Sequence, residues 1–162
     1  MEFNHVTQVE MENQILQICK QGDENKKNGL IRESRKNSMI PALVLNNLYE
    51  LVDYDLNFLI EVLNYSSERE KTVILRNCRD EEGIGVLFSE YDHDTLKNME
   101  LEDIVQGKDM DIIWEVKRGH SEGDLSRAYL TRCLLTIAYH IGFSEEVKAF
   151  FESEKRKYLT LH

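Results

Sequence analysis

Apolar residues recur at three- and four-residue steps through most of this chain, and a single proline, Pro41, stands among its 162 residues. This spacing puts apolar side chains on one face of a helix, whereas a strand would show alternation. Sheet sandwiches and barrels also need many turn residues, and the chain has only eight glycines. The pattern predicts a mainly α protein, a compact single-domain bundle of about 6–8 short to medium helices over residues 1–162.

Several helices can be placed from their apolar stripes and end signals. We expect a first helix over 6–21 that ends at Gly22, because glycine favours the left-handed conformation that closes a helix. Ser67 with Glu70 has the spacing of a capping box. Residues 124–141 are apolar around more than half of the helix circumference, so this stretch is predicted to be a central, buried helix.

Other segments give weaker signals. Residues 22–29 are polar without a period, which predicts an exposed loop. A helix over 95–106 is expected to begin after Asp94 as its cap. Residues 84–88 fit one short strand or an extended loop, and 110–116 suit either a strand or a helix.

The negative charge of the chain is concentrated in one segment. Residues 80–115, called the acidic segment below, hold twelve acids and two lysines, a net charge of −10. The whole chain also has a net charge of −10, so its other residues are electrically balanced. Concentrated charge of one sign steers the association of an oppositely charged partner. A solubilising face is the alternative explanation.

The acidic segment supplies the candidate partner-binding residues. It also contains the only tryptophan, and an aromatic anchor within an acidic rim is typical of a high-affinity interface, although core anchoring is the alternative. The candidates are Glu90, Asp92, Asp94, Glu100, Glu102, Asp103, Asp109, Asp111 and Trp114.

The sequence lacks recognisable motifs for metal binding or catalysis. A calcium loop that began at Asp92 and Asp94 would need an oxygen ligand and then glycine where Leu96 and Lys97 stand. His93 has no second histidine at a metal-binding spacing, and no nucleophile elbow or phosphate-binding glycine loop occurs. We expect no catalytic residue, no cofactor and no metal, and predict that the protein is not an enzyme.

Cysteine usage and the absence of export signals indicate a cytoplasmic protein. Cys19, Cys78 and Cys133 are odd in number and far apart, which fits neither a fully paired disulfide framework nor a zinc site. We expect them to be packed in the core. The N-terminal residues include Glu2 where a secretory signal would be basic, and no stretch has the roughly 20 apolar residues that cross a bilayer.

These observations favour a non-catalytic inhibitor, with a bacterial immunity or antitoxin-like protein as the main hypothesis. Its partner would be a basic protein such as a nuclease toxin, neutralised through the acidic segment. Neither nucleic acid nor membrane is expected as a partner, because phosphate neutralisation needs a surplus of lysine and arginine. The alternatives are a helical adaptor or regulatory domain that binds through an apolar groove, and an enzyme whose site is assembled in space.

Overall fold

The computed structural model describes residues 7–105 and 122–161, with the side chains of the second range described from residue 127. Within these ranges the chain forms helices and no strand, so the mainly α prediction is confirmed. The helices are α1 Gln8–Gln21, α2 Glu24–Ser34, α3 Met39–Asn46, α4 Leu48–Leu51, α5 Leu56–Leu63, α6 Glu68–Cys78, α7 Glu81–Ser89, α8 His93–Asn98, α9 Leu101–Val105, α10 Glu122–Ala138 and α11 Ser144–Leu161. These are more than the 6–8 expected, because helices as short as α4 and α9 are too brief to show a period.

The chain divides into two compact units, Met1–Lys71 and Thr72–His162, and the boundary falls inside α6. The first unit holds α1 to α5 and the second holds α7 to α11. The expectation of one domain over residues 1–162 remains a prediction.

In the first unit, α2, α3 and α5 pack on one another, and α1 packs on α2 and α3. Thr7 caps α1 by accepting a hydrogen bond from the Glu10 amide at 3.2 Å. The helix ends as predicted at Gly22, which has a φ of 70°. The predicted capping box also forms, because Ser67 and Glu70 each accept a hydrogen bond from the backbone N–H of the other. Fully buried aliphatic side chains fill the core of this unit: Leu30, Ile40, Leu43, Val44, Leu59 and Leu63.

In the second unit, α10 packs on α7 and α9, and α11 packs on α7, α8 and α9. The described part of α10 is almost wholly buried from Ala128 to Ala138, which confirms the predicted central helix. A π-helical turn, Tyr139–Phe143, joins α10 to α11, and Gly142 takes a φ of 119° there. Phe88 of α7 and Phe151 of α11 meet edge to face, with ring centroids 5.4 Å apart.

The helix α2 shows that the prediction of an exposed loop over 22–29 was wrong. Asp23 begins this helix by accepting a hydrogen bond from the Lys26 amide at 3.1 Å. Its inner face is mostly polar, so no apolar period marks it in the sequence. The buried side chains of α2 are Lys27, Leu30 and Ser34.

The strand or loop proposed for 84–88 is also absent, since these residues lie inside α7. Gly83 and Gly85 interrupt the apolar pattern of that helix. The helix expected over 95–106 is two helices in the described part of the chain, because Met99 has an extended backbone between α8 and α9. The cap of α8 is Asp92 rather than Asp94. Segment 110–116 lies outside the described residues.

Candidate protein-binding surface

The candidate residues that the structure describes all lie in the second unit, at the ends of short helices. Glu90 is half-buried and follows α7 directly. The others stand at the starts of two helices: Asp92 and Asp94 at α8, and Glu100, Glu102 and Asp103 at α9. Asp109, Asp111 and Trp114 lie outside the described residues.

Asp92 has a structural role as the cap of α8. Its carboxylate accepts hydrogen bonds from the Thr95 amide at 2.8 Å and the Thr95 hydroxyl at 2.9 Å. The amide hydrogen bond, followed by the hydroxyl one, lowers the pKa of Asp92. This carboxylate is exposed, yet it is already engaged in starting a helix.

Asp103 and Glu102 are also engaged within the unit. The Asp103 carboxylate accepts a hydrogen bond from the Glu100 amide at 2.8 Å, so it stabilises the first turn of α9. Glu102 lies 3.5 Å from the Lys148 ammonium of α11, and the charge of Glu102 raises the pKa of Lys148. The Oε2 atom of Glu102 is buried and accepts no hydrogen bond within the described chain.

The acids of α7 face bases from the C-terminal helices. The Arg127 guanidinium of α10 donates to the carboxylates of Asp80 and Glu82, each at 2.9 Å. The hydrogen bond with Asp80 is the main reason why the pKa of Arg127 is raised. The pKa of Lys157 on α11 is raised by its hydrogen bond with Glu154 and by the charge of that carboxylate, and to a lesser extent by the charge of Glu81.

The acidic segment is therefore partly neutralised by distant bases, which sequence reasoning missed. Asp80 and Arg127 are 47 residues apart, and no local pattern pairs them. Asp94 and Glu100 remain exposed, and neither forms an ion pair in the part of the chain that the structure describes. Glu100 does contribute to the raised pKa of Lys148, less than Glu102 does. Exposed carboxylates without an ion pair thus occur on α8 and at the start of α9 in the described segment.

The described residues contain no cluster of metal-binding side chains. His93 is exposed as the first residue of α8. No group of three or more His, Cys, Asp and Glu side chains within 7–105 and 127–161 could hold a metal ion. No helix in the described ranges is long and apolar enough to cross a bilayer.

The three cysteines are buried, as predicted, and none forms a disulfide within the described residues. Burial raises the pKa of Cys19 to about 11 and that of Cys78 to about 12. These thiols therefore stay protonated near neutral pH and are poor nucleophiles.

Comparison of the chain with models of protein families, with curated proteins and with solved structures found no match.

Proposed function

We propose that this protein is a non-catalytic inhibitor that binds a basic partner protein through its acidic segment, in the manner of a bacterial immunity or antitoxin-like protein. One observation carries the proposal. Residues 80–115 carry a net charge of −10 while the rest of the chain sums to zero, and Asp94 and Glu100 expose carboxylates that form no ion pair in the described chain. Exposed charge of this kind accelerates encounter with an oppositely charged surface.

The class of partner follows from the sign of the charge. Enzymes that act on RNA or DNA bind phosphates in cationic clefts, so a nuclease toxin presents the surface that these carboxylates complement. Carboxylates held at helix starts can occupy such a cleft in place of phosphates. The buried cysteines, none of which is in a disulfide within the described chain, are compatible with a reducing compartment, so we place the inhibitor in the cytoplasm.

The proposal is tested by neutralising Asp94 and Glu100. The double variant Asp94→Asn/Glu100→Gln removes two charges from the acidic segment, and Asp53→Asn/Glu61→Gln removes two exposed charges from the first unit as a matched control. Affinity capture from the host identifies the partner, and stopped-flow mixing then measures the association rate across a range of salt concentrations. We expect the first variant to slow association at low salt by roughly threefold to tenfold, and the control to leave it nearly unchanged.

The salt dependence separates this proposal from binding through an apolar groove. Attraction between exposed charges is screened within about 8 Å at physiological ionic strength, so association should slow steeply as salt is added. A captured partner without a basic surface would count against the proposal. Equal association rates for the two double variants would also reject it.

A further inference from the structure

The helix α2 exposes a face of cations and amides, with the acids Glu24 and Glu33 at its two borders. Positions three and four residues apart lie on one side of a helix, and the backbone stays helical at Arg35, just beyond the last residue of α2. Gly29 lies in the middle of this face and adds no side chain. The exposed side chains of this cationic face are Asn25, Asn28, Arg32, Arg35 and Lys36.

The charged groups of the cationic face have no acidic partner in the described chain. Arg32 and Lys36 form no ion pair there, and the Arg35 Nε donates to the Tyr65 hydroxyl at 2.9 Å. Glu33, at the border of the face, is half-buried and forms no ion pair among the described residues. By contrast, the buried Lys27 of the same helix contacts both Glu24 and Asp55.

Charge complementarity to this face is available on the protein itself. The acidic segment carries the whole net charge of the chain, and Asp94 and Glu100 are exposed without an ion pair in the described residues. An arginine guanidinium presents paired N–H donors that match a carboxylate. The chain therefore carries two surfaces of opposite sign, on which Arg32, Lys36, Asp94 and Glu100 form no ion pair in the described residues.

A nucleic acid fits the cationic face less well. The unit Met1–Lys71 has twelve acids against eight lysines and arginines, so its net charge is −4. A nucleic-acid duplex carries a negative charge about every 1.7 Å and binds surfaces that have a surplus of cations. A few separated carboxylates need only nearby cations, because charges further away are screened by salt.

We infer that the cationic face of α2 binds a second copy of the chain through the carboxylates around Asp94 and Glu100. The contact joins two different surfaces and its charges are exposed, so the association is weak and depends on concentration and salt. The inference does not rest on the proposed function, because it requires no partner other than the chain itself.

The test is sedimentation velocity of the full chain over increasing concentration at low salt. The wild type should shift to larger species as concentration rises, and return to monomer in about 1 M salt, where the screening length falls to about 3 Å. The variant Arg32→Glu/Lys36→Glu should lose this shift, and so should Asp94→Lys/Glu100→Lys. An equimolar mixture of these two variants should regain it, because each presents a surface of opposite sign to the other.

A matched control reverses two other exposed cations of the first unit, Lys26 and Arg69, to glutamate and should still associate. Far-ultraviolet circular dichroism checks folding, and the milder Arg32→Gln/Lys36→Gln substitution should weaken association by about tenfold even if a reversed variant misfolds. A wild type that stays monomeric at every concentration would overturn the inference. An equal loss of association in the control variant would also overturn it. The same holds for a wild type that stays monomeric and binds a single-stranded oligonucleotide through Arg32 and Lys36.

Discussion

Gly83 shows how a single residue determines the packing of the second unit. A Cβ atom at this position would overlap Thr131 Oγ1 of α10 and would lie 2.8 Å from Asp80 Oδ2. Real Cβ atoms do not approach other atoms so closely, and the clash with Thr131 falls where α7 packs against a buried helix. Gly85, two residues further along α7, has open space around the same position.

We predict opposite effects of alanine at these two glycines. Gly83→Ala should lower the free energy of unfolding by about 1–3 kcal/mol, because the helices must separate or Thr131 must move. Gly85→Ala should raise it by up to about 1 kcal/mol, because alanine has the higher helix propensity. Urea denaturation measures both, and a loss of stability at Gly85 equal to that at Gly83 would contradict the packing argument.

Residue-scale signals that act within one helical turn were predicted from the sequence. The end of α1 at Gly22 and the capping box of Ser67 with Glu70 are set by hydrogen bonds between near neighbours, so their spacing reveals them. The burial of all three cysteines followed from their apolar helical surroundings. The cap of α8 was placed at Asp94 rather than Asp92, because both aspartates are near enough to serve and only the backbone conformation selects one.

At the scale of the element, α2 is held in the first unit by a buried ion pair rather than by an apolar stripe alone. The Lys27 ammonium lies 2.7 Å from Asp55 Oδ2, at the start of α5. Burial opposes the charged form of Lys27, but the hydrogen bond with Asp55 and the charges of Asp55 and Glu24 outweigh it, so the pKa of Lys27 is raised. Asp55 also caps α5, accepting a hydrogen bond from the Phe58 amide at 3.1 Å.

We predict that Lys27→Met costs about 2–4 kcal/mol of unfolding free energy, since it leaves the Asp55 carboxylate half-buried without its cation. The double variant Lys27→Met/Asp55→Asn should be more stable than Lys27→Met alone, because the amide oxygen retains the helix cap without a charge. Chemical denaturation of the wild type, of Asp55→Asn and of these two variants gives the four free energies of unfolding that a double-mutant cycle requires. Additive losses would show that the two side chains do not interact.

Elements with an apolar period were predicted and those without one were not. The central helix α10 was recognised because it is apolar on most sides. The first half of α2 was predicted as part of a loop over 22–29, because its buried position is occupied by the polar Lys27. A polar side chain can face a core when a partner neutralises it, and that partner lies in another element.

At the scale of the whole molecule, net charge opposes compactness. The chain has a net charge of −10, and the pairs of Arg127 with Asp80 and Glu82 are exposed, so they contribute little against this repulsion. Self-repulsion destabilises a compact state and is screened by salt.

We therefore predict that the melting temperature rises by a few degrees as salt is raised from about 0.02 to 0.2 M. The variant Asp94→Asn/Glu100→Gln, with a net charge of −8, should show a smaller rise. Differential scanning calorimetry measures both. A melting temperature that falls with added salt would instead indicate that attractive ion pairs dominate the electrostatics.

The sequence by itself determined the helical class, several helix ends, the burial of the cysteines and the segment that holds the surplus negative charge. Each of these depends on composition or on contacts within one or two helical turns. The tertiary structure alone decided which charged side chains remain available to bind a partner. It engages Asp80 with Arg127, 47 residues away, and Glu102 with Lys148, and it leaves Asp94 and Glu100 without an ion pair in the described residues. Such pairs form only when packing brings distant helices together, so no local spacing in the chain predicts them.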